Sequence, residues 1–328
     1  MNEKVLIIPD FPNWALDKNA KDLIKYNKSS LQLDICYYKD FEKNWKKYYN
    51  EYDLLFPMYL GSYFSSLKKG IPTDKTITGI RSFHRWDEHK AQPPGYNKRP
   101  PRKIISNLKK ALLVNTHCKK LWYIFAEYVH IIHTKYTCDL EMFYPENKKQ
   151  NEKVVIGWAG SLTNHPNKRG FHEFIKPICE EIPGVELKLQ IKEENFITDD
   201  NLMRKFYNSL DIYICASRTE GTPRPVIEAA ACGVPVISTD VGIVPELIDD
   251  GYNGFIVDRN YDAIKSRIQQ IVDNKEQLPE MGKRIRKKME DEFNWQCLIS
   301  QWTDFFQYAI ELRKLKKDKK ILFNKNIF

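Results

Sequence analysis

Residues 217–239 read SRTEGTPRPVIEAAACGVPVIST. Glu220 and Glu228 bracket a loop that holds Gly221, Thr222, Pro223, Arg224 and Pro225. A small-residue helix with Ala229, Ala230 and Ala231 follows, then a turn at Gly233 and Pro235, and a buried-type strand over 234–239. The step from loop to helix predicts an anion site, because unpaired N–H groups and the helix dipole both favour negative charge there. Gly221 lets a ligand approach the main chain, and Pro225 suits a first helical position, where its missing N–H costs nothing. This reading puts Glu228 on the first turn, at the mouth of the pocket. The ligand so described carries both phosphate and hydroxyl groups. An ordinary βα turn containing two unrelated glutamates is the plainer alternative.

The segment resembles the E-x7-E signature of glycosyltransferase family 4, retaining GT-B enzymes that use nucleotide sugars. Ser217, Glu220, Gly221, Pro223, Glu228, Ala229, Ala231, Gly233, Pro235, Val236, Ile237 and Thr239 stand in register with its pattern. Further on, Gly242, Glu246, Leu247, Gly251, Gly254 and Val257 also follow the family, and Gly242 is read as closing the floor of the donor pocket. The resemblance is good over residues 154–258, weaker over 259–305 and thin before 130.

At 328 residues the chain has room for two domains of ordinary size. Hydrophobic residues at 42% and aromatics at 13% describe a globular protein and exclude a disordered one. The seven cysteines form no CxxC pair and no metal-ligand spacing, which points to a reducing compartment with thiols used as small buried residues. The start, MNEKVLIIPDFPNW, reads as a first strand ending before Pro9, not as a signal peptide, and no stretch approaches a transmembrane span. A cytoplasmic location is expected, with association at the inner face of the membrane as an option.

The net charge of +9 is read as a solvated basic surface, with no nucleic-acid partner. Part of the excess is Lys98, Arg99, Arg102 and Lys103 in a Pro-rich loop from Pro93. Another part is the tail, where Arg313, Lys314, Lys316, Lys317, Lys319, Lys320 and Lys325 face only Glu311 and Asp318. Ile321, Leu322, Phe323, Ile327 and Phe328 are interleaved with them, a mixture that suits an anionic membrane surface.

Apolar runs predict strands at 4–8, 33–37, 53–56, 76–80 and 111–115, then at 154–158, 186–191, 212–215, 234–238 and 254–257, with helices between. Alternating β and α with short loops implies parallel sheets whose ligands bind beyond the strand C-termini. The fold class is therefore α/β, and the resemblance makes it GT-B: two Rossmann-like doubly wound domains facing a central cleft. Residues 1–148 form the expected acceptor-binding domain and 149–300 the nucleotide-sugar domain. Residues 301–328 form a last helix crossing back to the first domain, plus the basic tail. The run HIIHTKYTCDLEMFYP over 130–145 is similar to the family's interdomain passage, with Asp139, Phe143 and Pro145 matching and Thr137 where glycine is usual. Trp295, Leu298, Ile299, Trp302, Phe305, Phe306 and Ile310 recur at helical spacing and are read as core.

In the family, the loop after the first strand of the second domain supplies two cations to a diphosphate. Here GWAGSLTNHPNKRG has Ser161 after Gly160 where arginine is usual, and Lys168 or Arg169 before Gly170. The resemblance thus keeps one cation, and Arg224 is the candidate for the other, since a guanidinium fork fits phosphate oxygens. Donor binding is assigned to Gly160, Ser161, Lys168, Arg169, Gly221, Thr222, Pro223, Arg224 and Glu228, with Glu228 accepting from the ribose hydroxyls. Glu220 is assigned as catalytic, contacting and orienting the donor sugar. His84 is the second catalytic candidate, standing with Arg81 and His117 where a family histidine meets that sugar. Asp199–Asp200 and Asp249–Asp250 lack metal-motif spacing and read as surface turns, so no metal and no other cofactor is expected.

The function implied is a retaining, hexosyltransferase-type enzyme, with a UDP-sugar preferred to a GDP-sugar as donor and a glycan or lipid-linked saccharide as acceptor. A sugar-nucleotide epimerase on the same scaffold and a non-catalytic GT-B binding protein are the alternatives. A glycosidase fits poorly, because its two carboxyl groups must flank one bond.

Overall fold

The computed structural model describes residues 2–82, 99–147, 151–163, 166–195 and 199–325, leaving aside the side chains of 166, 167, 195 and 319–325. His84 lies outside the described residues. The strands are β1 (Lys4–Ile8), β2 (Gln32–Ile35), β3 (Leu54–Pro57), β4 (Ile77–Ile80), β5 (Leu113–Thr116), β6 (Ile131–His133), β7 (Val154–Gly160), β8 (Val185–Ile191), β9 (Ile212–Cys215), β10 (Val236–Thr239) and β11 (Phe255–Val257).

One compact unit comprises residues up to Arg81, residues 99–136 and the chain from Trp295 onward. Its strands pair in parallel as β2-β1-β3 and β4-β5-β6, and a single bridge between Leu55 and Thr76 links the two triplets. β1 is apolar on both faces because both are covered. Val5 and Ile7 pack with Leu54, Phe56, Trp302 and Phe306, whereas Leu6 and Ile8 pack with Cys36, Phe41 and Leu55. The helix Trp295–Lys325 lays the aromatic stripe expected from sequence into the first of these cores. Its Trp302 is fully buried and donates from Nε1 to the Lys135 carbonyl at 2.9 Å, which settles the indole's polar group.

The strand β6 is absent from the sequence reading. Its three residues fall inside the run read as connecting chain, too short for any periodicity to register. Thr137, standing where the family has glycine, is fully buried and donates from Oγ1 to the Phe293 carbonyl.

The second unit spans Thr137–Asn294 and holds a five-stranded parallel sheet, β11-β10-β9-β7-β8. The helix Arg224–Ala231 is buried from Val226 to Ala231 and neighbours the helix Leu278–Glu292. Small residues make that approach feasible: a Cβ on Gly282 would lie 2.3 Å from the Gly233 carbonyl oxygen. Gly233 has φ +70°, and the N–H groups of Gly233 and Val234 close back on Ala230 and Ala229. Val234 therefore belongs to the helix cap, and β10 begins two residues later than the sequence suggested.

All seven cysteines are free, six of them buried. Among the described residues no helix is long and apolar enough to cross a membrane.

Candidate functional site

The site is built where β7, β9 and β10 end. Beyond β9, Ser217 donates from Oγ to Glu220 Oε1 at 3.1 Å, and Thr239 at the end of β10 donates from Oγ1 to the Ser217 carbonyl at 2.5 Å. The Gly221 carbonyl accepts from Ile243 N–H at 2.8 Å. The chain beyond β7 joins the same corner. Arg218 N–H donates to the Lys168 carbonyl at 2.6 Å, and Gly170, at φ +69°, would bring a Cβ within 2.6 Å of the Ala216 oxygen. Three connections are thereby fixed to one another, and Glu220 is held where they meet.

The geometry divides the basic pair. Arg169 Nη1 lies 4.0 Å from Glu220 Oε1, whereas Lys168 is only 2% exposed. Arg169 Nε is buried and makes no hydrogen bond, so the guanidinium keeps donor capacity at this corner. Gly160 leaves room for the Trp158 ring, since a Cβ there would lie 2.8 Å from its Cζ2. Thr222 Oγ1 is likewise buried without a hydrogen bond. The N-terminus of the helix Arg224–Ala231 is poorer in donors than expected. Pro223 is its cap residue and Pro225 stands at the second helical position, not the first, so neither has an N–H to give.

One sequence expectation needs correction. Glu228 sits on the second turn of its helix, not the first, and is 4% exposed. Its carboxylate accepts from Tyr207 Oη at 2.8 Å and from Arg224 Nε at 2.5 Å. Burial first, and then the Glu228 charge, push the Tyr207 phenol well above its ordinary pKa, so it stays a donor. Arg224, read as a phosphate cation, pairs with Glu228 four residues along the helix.

Ser161 is also engaged. Glu193, just beyond β8, accepts from the Ser161 hydroxyl, from Leu162 N–H at 3.0 Å, and from Thr163 N–H at 3.3 Å and Oγ1 at 2.7 Å. The Ser161 hydroxyl foremost, with the Leu162 and Thr163 donors, pulls the Glu193 carboxyl down to about 2. Sequence reasoning passed over Glu193. Its signal was the KEEN stretch that replaces the usual Gly-rich turn, together with serine in place of arginine at 161.

In the first unit, Arg81 follows β4 directly. It donates from Nη2 to Asn115 Oδ1 at 2.9 Å and from Nε to the Met58 carbonyl at 3.2 Å. His117 follows β5 at 3% exposure, stacked on Tyr136 with ring centroids 5.4 Å apart. Burial, with the Arg81 and His133 charges, holds the His117 imidazole well below its usual pKa.

The carboxylates set aside as turns have structural duties. Asp199 caps the helix Asp200–Asn208, Asp249 pairs with Lys288 at 2.8 Å, and Asp250 accepts from Ile256 N–H. Among the described residues no group of three or more His, Cys, Asp or Glu could hold a metal ion. A cavity of about 380 Å³ lined by Pro145, Asn208, Asp211, Val234 and Pro235 opens at the N-terminal edge of the sheet, the opposite edge from Glu220.

Residues 172–288 match the family described as glycosyl transferases group 1. Staphylococcus aureus CapM, a capsular polysaccharide biosynthesis glycosyltransferase, is 26% identical over 188 residues, covering 49% of this chain and 49% of CapM. An uncharacterized glycosyltransferase of Methanocaldococcus jannaschii, MJ1178, is 32% identical over 129 residues, 34% of this chain and 36% of the relative. The chain thus spans half or less of the length of these relatives. Among solved structures, sucrose-phosphate synthase from Thermosynechococcus elongatus superposes with a TM-score of 0.69 at 14% identity, covering 94% of this chain and 100% of that one. Anabaena HepE, solved with UDP-glucose, gives 0.68 at 12% identity, covering 93% and 99%. At such identities the likeness speaks for the fold: GT-B, with Rossmann-like α/β units.

Proposed function

We propose that this chain, which through residues 172–288 belongs to the glycosyl transferases group 1 family, moves a hexosyl group from a nucleotide sugar to an acceptor with retention of anomeric configuration. The observation that carries the reading is the corner at Glu220, where a carboxylate steadied by Ser217 stands beside the Arg169 guanidinium. An acid and a cation so placed suit a ligand with sugar hydroxyls at one end and a diphosphate at the other.

As the glycosidic bond breaks, negative charge grows on the leaving diphosphate. Arg169 and the N–H groups of Gly221, Thr222 and Arg224 offer fixed donors for that charge, a form of stabilisation that needs no reorganisation during reaction. Glu220 accepts from sugar hydroxyls and orients the ring. Glu228 retains lone pairs beyond those used by Tyr207 and Arg224, since a carboxylate has about four acceptor sites, and these receive the ribose hydroxyls. The scheme requires no metal. His84, which lies outside the described residues, is proposed to complete the donor-sugar contacts. A UDP-sugar is the favoured donor, as in the HepE complex of the same fold, and a glycan or lipid-linked saccharide is the favoured acceptor, by analogy with CapM.

The tail is assigned to anionic membrane. Arg313 and Lys314 are committed to Asp53 and Glu3, so the contact falls to Leu315, Lys316, Lys317 and the residues beyond. Deletion after Leu315 should abolish flotation with anionic liposomes; unchanged flotation removes this part of the proposal.

The test of the whole is incubation of the purified chain with a panel of UDP-, GDP- and ADP-sugars. Release of a nucleoside diphosphate that disappears in Glu220→Ala and Arg169→Ala supports transfer. Sugar isomerisation without release makes the protein an epimerase, and tight binding without turnover makes it a binding protein.

A further inference from the structure

The strand β8 is the outer strand of the five-stranded sheet in the second unit. Its seven residues, VELKLQI, pair with β7 in one unbroken parallel register from Val154–Val185 to Gly160–Ile191. No bulge or proline interrupts it. The other side of the strand is open: Glu186 and Leu189 are exposed, and the Lys188 side chain keeps 40% of its surface. A long straight edge is a hazard, because its outward N–H and C=O groups template pairing with another chain. Proteins ordinarily shorten, bulge or cover such edges.

The alternation of the ladder shows which groups face outward. Val154 N–H donates to the Gly184 carbonyl, so Val154 addresses β8, whereas the Val155 carbonyl accepts from Asp211 N–H beside β9. Along β8 the main chain of Glu186, Lys188 and Gln190 therefore turns to β7, and that of Val185, Leu187 and Leu189 turns outward. The same three residues put apolar side chains on one face. Val185 and Leu187 are only partly buried against the core, and a cavity of about 770 Å³ beside them is also lined by Leu162, Phe171 and Ile182.

The strand is its own complement. A second copy laid antiparallel about a twofold axis at Leu187 sets Leu187 against Leu187 and Val185 against Leu189. Each of these residues faces outward, so each pair closes with hydrogen bonds. Glu186 then stands opposite Lys188 twice, at the non-hydrogen-bonded positions where cross-strand side chains come closest. Moving the axis by one residue sets Glu186 against Glu186 or Lys188 against Lys188, and like charges directly opposite are destabilising. A copy of this chain is thus favoured over a foreign strand, since the charge pairing needs no other sequence.

We propose that β8 is a self-association edge. Two copies of the chain pair antiparallel through residues 185–189, in the register centred on Leu187, and join their five-stranded sheets into one continuous sheet. The contact is isologous and closed, so assembly stops at the dimer.

The experiment is sedimentation velocity of the full chain over a range of concentrations, where a monomer–dimer equilibrium is expected. Glu186→Lys brings lysine against lysine at both facing positions, and Lys188→Glu brings glutamate against glutamate. Each should weaken the dimer at least tenfold, and both changes fall on solvent-facing side chains that the fold tolerates. Mixing the two variants should restore association between them, because every facing pair is again lysine with glutamate. The double variant, Glu186→Lys with Lys188→Glu, should self-associate like the wild type. A chain that is monomeric at every concentration overturns the proposal and leaves the edge to another protein's strand. A dimer indifferent to either charge reversal, or singly reversed variants that fail to associate when mixed, overturns it as well.

Discussion

Gly242 and Gly221 meet main chain to main chain: a Cβ on Gly242 would stand 1.9 Å from the Gly221 carbonyl oxygen, and Gly242 itself has φ +48°. The loop that carries Glu220 is thus seated directly on the turn after β10. Gly242→Ala forces one of the two to move, and overpacking of this kind costs about 1–3 kcal/mol. Gly251 provides the control, since it too has positive φ, at +74°, but nothing within 4 Å of the added Cβ. Gly251→Ala meets only the backbone penalty, about 1–2 kcal/mol. Urea denaturation should therefore rank Gly242→Ala as the more costly, and donor turnover should fall in that variant alone. Equal stability losses and equal activities would show that the seat is unimportant.

The Arg224–Glu228 clasp is nearly sealed, with side-chain exposures of 10% and 5%. Breaking a buried pair by removing one partner typically costs about 3–5 kcal/mol, because the other charge is stranded. Arg224→Ala and Glu228→Ala should each be strongly destabilising. The double variant should cost less than their sum by about 0.5–3 kcal/mol, the range found for residues in contact. A strictly additive cycle in thermal or chemical denaturation would mean the two act independently.

The region 154–258 was legible because its signals are local. Glycines at forced close approaches, a small-residue helix and apolar strands buried on both faces each leave a pattern in one dimension. Reading Pro225 as the first helical residue puts Glu228 one turn early, whereas Arg224 is the first, and the contact of Glu228 with Tyr207 on another helix is announced by no spacing. The same holds for Ser161 and Glu193, which meet though 32 residues apart, and for Arg81, whose environment is assembled from Met58, Gly79 and Asn115. β6 escaped because three residues are too few to show alternation.

Glu193 serves as an internal anion for the Leu162 and Thr163 amides. Glu193→Gln removes the charge but keeps one acceptor oxygen, so the fold should persist while the loop after β7 loosens. Hydrogen exchange at Leu162 and Thr163 should accelerate several-fold near neutral pH. The sign with pH follows from the depressed carboxyl value. The clamp's contribution is complete above the ordinary carboxylate pKa of 4.5 and is lost as pH falls through about 2. In the wild type, protection at these two amides should therefore hold from pH 7 to 5. Loss of protection across that interval, or exchange unaffected by Glu193→Gln, contradicts the clamp.

His117 makes the opposite kind of titration. Its folded-state value lies well below the ordinary 6.5, with burial foremost and the neighbouring Arg81 and His133 adding to it. Tyr136 and Trp302, the rings packed against it, supply no compensating negative charge. Below pH 6.5 the unfolded chain takes up a proton that the folded chain refuses, so stability falls as pH falls. One such proton is worth about 1.4 kcal/mol per pH unit. His117→Phe keeps an aromatic ring between Tyr136 and Trp302 and removes the titration. Between pH 6.5 and 5, the unfolding free energy of the wild type should decline more steeply than that of His117→Phe, by up to this amount per unit. Parallel curves would place a proton on His117 in the folded protein and overturn this reading.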